Sequence, residues 1–187
     1  MRRRLKLAVG RCPLLFVVPL LACAVPVARG QTTAPAAGAT TPSAATTLEI
    51  KGDIEKPLSL SIEDLRAMPR KTVKVTNPHE GKEETYEGVL LSDLLKRAGV
   101  ASGKDLRGTA LATYILAEAS DGYRVVFSIG EIDPDLHDSE IIVADTMDGG
   151  AMGGNIGPLR LVVPHDKRPA RWVRMLRSVS VVKVPKG

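Results

Sequence analysis

Short apolar runs alternate with polar and glycine-rich stretches along residues 48–184 of the chain. Strict alternation of apolar and polar residues is typical of a half-buried β-strand, and a short apolar run bounded by Gly or Pro is typical of a buried one. These patterns predict strands over residues 48–52, 57–60, 70–76, 83–86, 111–118, 123–127, 141–144, 159–163 and 175–184.

The helices predicted by the sequence are few and short. Ser61 is an N-cap candidate for a first helix, which ends before Pro69, and Ser92 is an N-cap candidate for a second over Asp93–Ala98. Residues 128–132 predict a helical turn. Many strands with small helices indicate an α+β domain built on a mixed β-sheet or a flattened barrel.

The first 30 residues have the pattern of a signal peptide. Met1–Arg11 is basic, and Pro13–Val27 is almost wholly apolar but too short for an ordinary membrane span. Cleavage after Gly30 is one interpretation; a lipobox ending at Cys23, which would become a lipid anchor, is the other. Either predicts an exported, periplasmic protein, soluble or lipid-anchored, with a disordered Ala/Thr/Pro-rich linker over 31–47 and a domain over 48–187.

The charge and cysteine content of the domain exclude several classes of function. The leader holds six of the 26 Lys and Arg residues and none of the 21 acids, so 20 basic and 21 acidic residues remain. This near-neutral balance, with few aromatic residues, argues against a nucleic-acid partner. Both cysteines, Cys12 and Cys23, lie in the leader, so the domain has no internal disulfide and no thiolate ligand or nucleophile.

The segment from Ile141 to Trp172 is the candidate ligand site. Two apolar runs flank a glycine-rich connection, and a basic loop follows the second run. The loop residues that could bind an anion are His165, Lys167, Arg168 and Arg171. The alternative is a solvated loop in which Arg171 stacks on Trp172 or pairs with the acidic loop 133–140. Arg160, inside an apolar strand, either faces outward or pairs with a buried carboxylate.

Several motifs, in the same order, resemble the molybdopterin-binding domain of sulfite oxidase-like oxidoreductases. They are Lys56-Pro57-Leu58 with Ser61–Leu65, Tyr86–Leu95 (similar to W-x-G-V-x-L-x-x-L-L), Ser120–Tyr123, Ala144–Gly149, Gly157–Pro164 and Arg171-Trp172. The resemblance covers roughly residues 48–184 and implies a mixed α+β fold that binds a pterin with a phosphate tail.

The resemblance also implies two active-site residues that this chain does not have. The family's molybdenum-ligating cysteine would fall within 76–80, where the sequence reads Thr-Asn-Pro-His-Glu. Its active-site tyrosine would fall at Asp145, whose charge would repel an anionic substrate. The candidate cofactor-binding residues are His79, Arg160, His165, Lys167, Arg168 and Arg171. The resemblance implies molybdopterin as the cofactor, whereas the residues by themselves establish none.

The predicted function is therefore an exported, non-catalytic ligand-binding or accessory module of this type, binding an anionic small molecule or pterin, or a periplasmic protein. The alternative is a reduced molybdopterin-dependent oxidoreductase with different metal ligation. A zinc or iron site is a further hypothesis, because His79, His137 and His165 each precede an acid in a loop; the sequence leaves open whether they meet. A hydrolase is disfavoured, since no Gly-x-Ser-x-Gly elbow is present.

Overall fold

The computed structural model describes residues 47–77, 81–138 and 140–185. In this part of the chain the strands are β1 Thr47–Gly52, β2 Leu58–Ser61, β3 Lys71–Thr76, β4 Glu83–Leu90, β5 Thr113–Ala119, β6 Arg124–Ser128, β7 Ile142–Met147, β8 Gly150–Ala151, β9 Arg160–Val162 and β10 Leu176–Lys183. The α-helices are α1 Ile62–Arg66, α2 Leu91–Arg97 and α3 Ile129–Ile132. Short 3-10 turns occupy Gly103–Asp105, Gly108–Leu111 and Pro169–Arg171.

The strands form two five-stranded sheets. The first has the order β2-β1-β10-β5-β6, in which only β1 and β10 run parallel. The second has the order β3-β4-β7-β8, with β9 also paired to β7, and is antiparallel throughout. The α+β fold with a mixed sheet is thus confirmed, whereas the described strands form no closed barrel because both sheets end in edge strands.

One hydrophobic cluster contains buried side chains of both sheets. Ile115 and Phe127 come from the first sheet, and Tyr86 and Val143 from the second. Strand β5 alternates between buried and half-buried residues along its whole length, as the sequence pattern predicts. The sheets therefore share a core, on which the site described below rests.

Two of the three helix starts agree with the sequence. Ser61 caps α1 through a capping box with Asp64: the Ser61 Oγ accepts from the Asp64 N–H at 3.1 Å and the Ser61 N–H donates to the Asp64 carboxylate at 2.9 Å. Ser128 and Glu131 cap α3 in the same way. These caps are local in sequence, which is why they are readable from it.

The start of α2 differs from the sequence prediction. Ser92 does not cap it, because β4 continues to Leu90 and passes directly into a helix that begins at Leu91. The Leu91 N–H donates to the Ile141 carbonyl at 2.9 Å, so a tertiary contact replaces the side-chain cap. Gly99 ends the helix with a φ of 82°, as predicted.

Strand β4 is longer than predicted because it pairs with both β3 and β7. A bulge between Glu87 and Gly88 interrupts the β4–β7 register. At Gly88 an added Cβ would lie 2.1 Å from the Val143 carbonyl oxygen, so only glycine allows the two backbones to approach this closely. Among the described residues, no helix is long and apolar enough to cross a membrane.

Candidate functional site

The side chain of Arg160 lies between two aromatic rings at the start of β9. Its guanidinium carbon is 5.4 Å from the centre of the Tyr86 ring and 5.0 Å from that of Trp172. The two rings meet edge to face, with centroids 5.9 Å apart and planes at 88°. Cation–π attraction and packing therefore hold the guanidinium on the aromatic pair.

A chain of hydrogen bonds runs from Arg160 toward the end of β3. The Arg160 Nη1 donates to the Tyr86 hydroxyl at 2.7 Å, and that hydroxyl donates to the Glu84 carboxylate at 2.7 Å. The other Glu84 oxygen accepts from the Asn77 side-chain amide at 2.7 Å. Glu84 thus acts on Arg160 through Tyr86 rather than through a direct ion pair.

Arg160 is half-buried, and its guanidinium nitrogens have few hydrogen-bond partners. Its Nε is buried without a hydrogen-bond partner, and its Nη2 has no acceptor among the described residues. Burial lowers the pKa of Arg160, and burial together with donation to Glu84 raises the pKa of Tyr86. Buried polar groups in native proteins are rarely left without partners, so an orphaned guanidinium nitrogen indicates a place for a ligand or an ordered water.

A cavity of about 430 Å³ opens beside Arg160. It is lined by Asp121, Tyr123, Arg160, Pro169, Ala170, Trp172 and Arg174. This volume lies within the range of small-molecule sites, and the wall combines aromatic surface with two guanidinium groups and one carboxylate. An anion with a planar or apolar body matches such a lining.

The cations of the basic loop lie elsewhere. His165, Lys167 and Arg168 are exposed and do not line this cavity. They were selected because they follow β9 closely in sequence, yet the structure does not bring them to Arg160. His79 lies outside the described residues.

Arg171 is held by carboxylates rather than by Trp172. Its guanidinium donates to both Asp166 oxygens, at 2.9 and 2.6 Å, and to Glu131 at 3.0 Å, and it lies 5.1 Å from the centre of the Phe127 ring. Neither predicted contact is observed: Asp166 and Glu131 lie outside the acidic loop 133–140, and the ring that Arg171 packs on is Phe127 rather than Trp172. Chiefly through Asp166, these bonds raise the pKa of Arg171.

Asp145 is neutralised by a second arginine. It is buried and accepts from the two terminal nitrogens of Arg70 at 2.6 and 2.7 Å and from the Thr146 hydroxyl at 2.6 Å. Burial by itself would raise the pKa of Asp145, but these hydrogen bonds outweigh it and hold the pKa below its usual value. The expectation that Asp145 repels anions is therefore wrong, because Arg70 balances its charge.

The register of the second sheet also places Asp145 away from Thr76, the first residue of the segment to which the resemblance assigned the metal-ligating cysteine. Glu87 of β4 pairs with Thr72 on one side and with Thr146 on the other, so these two threonines lie at the same level of the sheet. Thr76 instead pairs with Glu83, which lies past the part of β4 that pairs with β7. Asp145 is thus four to five residues from the level of Thr76, roughly 15 Å along the strands.

Two histidines border a separate cleft of about 470 Å³. It is lined by Leu90, Ser92, Pro134, His137, Asp138, Glu140 and His165. Despite this proximity, no group of three or more His, Cys, Asp or Glu side chains in the described residues could hold a metal ion. The zinc or iron hypothesis gains no support from the described part of the chain.

Sequence reasoning missed most of the residues that surround Arg160. Tyr86 occupies the tryptophan position of the W-x-G-V motif, and this substitution was the one available signal, because it introduces a hydroxyl into a buried position. Glu84 and Arg174 have no local pattern that marks them, and Tyr123 belongs to the Ser120–Tyr123 motif, which does not by itself identify a ligand contact. They reach the site only through strand pairing and loop packing.

These features define an α+β domain of two open sheets with a half-buried arginine that lacks an ion pair, beside a ligand-sized cavity. The chain belongs to the family described as the oxidoreductase molybdopterin binding domain, whose model matches residues 37–187. The resemblance of the sequence to sulfite oxidase-like proteins is thereby confirmed.

Among solved structures, the chain is similar to the sulfane dehydrogenase SoxCD from Paracoccus pantotrophus. The two share 26% sequence identity with a TM-score of 0.57, over 73% of this chain and 38% of that one. This chain therefore corresponds to well under half of the sulfane dehydrogenase chain. No curated protein matches the sequence.

The residues present fit one part of molybdopterin and not the other. Arg160 and Arg174 suit an anionic pterin tail, and Trp172 and Tyr123 suit a planar ring. For molybdenum the family implies a thiolate, but the only cysteines of the sequence, Cys12 and Cys23, lie outside the described residues. The described part thus has a match for the organic group and no ligand set for the metal.

Proposed function

We propose that this chain is a ligand-binding module of the molybdopterin-binding family that holds an anionic pterin at Arg160 and does not carry out chemistry at molybdenum. The observation that carries the proposal is the half-buried Arg160 guanidinium, whose only side-chain hydrogen-bond partner in the described residues is the neutral Tyr86 hydroxyl. An anion in the adjacent cavity would supply the missing acceptor.

The chemistry of the cavity favours a ligand with both a negative group and an aromatic body. A phosphate or carboxylate oxygen would accept from the Arg160 Nη2, and Arg174 adds a second cation at the wall. Trp172 offers an aromatic surface on which a pterin ring would pack. His165, Lys167 and Arg168, which are exposed and outside the cavity lining, are proposed to attract the anion at longer range.

The absence of a thiolate supports the non-catalytic part of the proposal. Soft thiolate ligands suit this class of metal centre, and residues 24–187 of the sequence contain no cysteine. The alternative, a reduced molybdopterin-dependent oxidoreductase, would require ligation by other groups.

The test is to purify the protein from its native host, where pterin-maturation enzymes exist, and to measure bound molybdenum and pterin fluorescence. We expect pterin without stoichiometric molybdenum in the unmodified protein. Arg160→Gln should lose at least about 90% of the bound pterin, whereas Arg177→Gln, at an exposed position of β10, should retain it. Stoichiometric molybdenum would favour the oxidoreductase, and equal retention by both variants would exclude Arg160 as the anion contact.

We also propose that the protein is exported and acts in the periplasm, in soluble or lipid-anchored form. The basic and apolar leader supports export, and the Ala/Thr/Pro-rich stretch over 31–47 suits a tether. Mass spectrometry of the mature N-terminus distinguishes the forms: a chain beginning at Gln31 indicates cleavage, and a diacylglyceryl-modified Cys23 indicates an anchor. An intact Met1 would refute export.

A further inference from the structure

Strand β6 is an edge of the first sheet whose backbone is open on one side. The Ala119 N–H donates to the Tyr123 carbonyl at 2.9 Å, which makes this the first hydrogen-bonded pair of the β5–β6 hairpin. In an antiparallel ladder such pairs recur every second residue, so Val125 and Phe127 turn their backbone groups toward β5. Arg124 and Val126 then direct their N–H and C=O groups away from the sheet.

The other edges carry features that block strand addition. Strand β2 has only four residues and follows Pro57, while β8 and β9 have two and three residues. Strand β3 presents Lys71 and Lys74, which pair with Glu140 and Glu83. Short length, proline and lysine are the usual means by which proteins protect an edge. Strand β6 has neither lysine nor proline, and Val126 at its centre is 54% exposed.

Exposed apolar side chains are concentrated around this edge. Leu111 and Leu136 both lie near Gly130 of α3, which directly follows β6. Val184 lies close to Leu111 in space, because the Val184 N–H donates to the carbonyl of the neighbouring Ala112 at 2.8 Å. Together with Tyr123 and Val126, these are the large hydrophobic residues of the described chain with about half of their surface exposed. Such clustering of apolar surface is typical of an interaction site.

We propose that β6 pairs with β6 of a second copy of the chain, in antiparallel orientation, to extend the first sheet across a two-fold axis. If Arg124 of each copy is placed opposite Val126 of the other, the open N–H and C=O groups of both residues meet in hydrogen-bonded pairs. The match ends at Ser128, whose N–H is already donated to the Glu131 carboxylate at 2.8 Å. The outward N–H and C=O groups of β6 in one copy therefore meet matching acceptors and donors in β6 of the other copy.

Charge supports the antiparallel orientation. Arg124 is the charged residue of β6, and it pairs with Glu118 on β5 at 3.1 Å. A parallel, in-register arrangement would place the two Arg124 residues side by side, which is unfavourable. The antiparallel arrangement places each arginine opposite a valine and leaves its bond to Glu118 in place.

The test measures association of the full protein by sedimentation velocity over a concentration series, with residue-resolved amide exchange in parallel. A contact of this size belongs to the weak class, so we expect a dissociation constant on the order of 0.1 mM. The amides of Arg124 and Val126 should exchange at least tenfold more slowly in the dimer than in the monomer. No protection of these amides, or a monomer at roughly 1 mM, would overturn the proposal.

Val126→Pro removes one outward N–H without removing a bond of the β5–β6 ladder, and should weaken dimerisation at least tenfold. Val126→Lys, which keeps the amide and places a charge on the edge, should do the same and guards against misfolding of the proline variant. The matched control is Thr72→Lys, an exposed β-branched residue on β3, the edge strand of the second sheet, which should leave the dimer unchanged. Dimerisation lost in Thr72→Lys but kept in both Val126 variants would overturn strand pairing.

Discussion

Replacing Tyr86 by Phe would test the hydrogen-bond chain that positions Arg160. The change removes one hydroxyl and retains the ring that packs on Trp172. It leaves the Arg160 Nη1 and one Glu84 oxygen without their partner. An unsatisfied buried group costs about 1–3 kcal/mol, and more when it is charged. Allowing for partial access of water to Glu84, we expect the free energy of unfolding to fall by about 2–3 kcal/mol, and Tm by roughly 5–10 °C.

The assay is urea and thermal unfolding of Tyr86→Phe beside Tyr114→Phe. Tyr114 is half-buried on β5, and no hydrogen bond involves its hydroxyl in the described residues, so its replacement should cost less than about 0.5 kcal/mol. Equal stability of the two variants would refute the argument that the Tyr86 hydroxyl holds Arg160.

The same hydroxyl predicts a dependence of stability on pH. Burial and Glu84 raise the pKa of Tyr86 above its ordinary value of 10.0, so above that pH the unfolded chain loses this proton more readily than the folded one. The stabilisation is then fully present below about pH 10 and declines as the pH rises. Tyr86→Phe should lack this alkaline decline; the same slope in both proteins would assign it to other groups.

Three further substitutions test the rest of the structure by urea unfolding. Asp145→Asn should lower the free energy of unfolding by about 2–3 kcal/mol, because it leaves Arg70 without its carboxylate. The pKa of Asp145 is lowered in the fold, so this stabilisation is present above about pH 4 and is lost as the pH falls. An acid transition that is unchanged in the variant would contradict the ion pair. Ser61→Ala should cost about 1 kcal/mol through loss of the α1 cap, and a neutral result would mean that the cap adds nothing. Gly88→Ala should cost more than about 2 kcal/mol, because its Cβ would meet the Val143 carbonyl; tolerance of alanine would show that β4 and β7 are less closely apposed.

The features that sequence reasoning predicted correctly are mostly local. The cap at Ser61, the helical turn over residues 128–132 and the stop at Gly99 depend on residues within one helical turn. The cap at Ser92 was wrong because the first N–H of α2 is satisfied by Ile141, fifty residues away. A pattern within one segment carries no information about such a partner.

The candidate site shows the same limit. Arg160 was identified because a charged residue stands out in an apolar strand, but its partner Tyr86 is 74 positions away in the chain. The loop cations were predicted because a basic loop directly follows a buried, apolar run. One of them, Arg171, instead meets Glu131, 40 positions away, across the packing of the loop on α3. Distance in space, which sequence alone does not supply, decided which cations face the cavity.

A comparison of three arginines identifies where this domain can still bind an anion. Arg70 and Arg171 each form a bidentate bond with a carboxylate, so their charge is balanced within the fold. Arg160 is the most enclosed of the three, yet the group that its side chain bonds is a neutral hydroxyl. A half-buried cation without a direct ion pair is costly for stability alone, and such costs are commonly retained where a ligand offsets them. The unpaired charge of Arg160 lies at the wall of the cavity beside Trp172. For this reason we place the anion there rather than in the more highly charged loop.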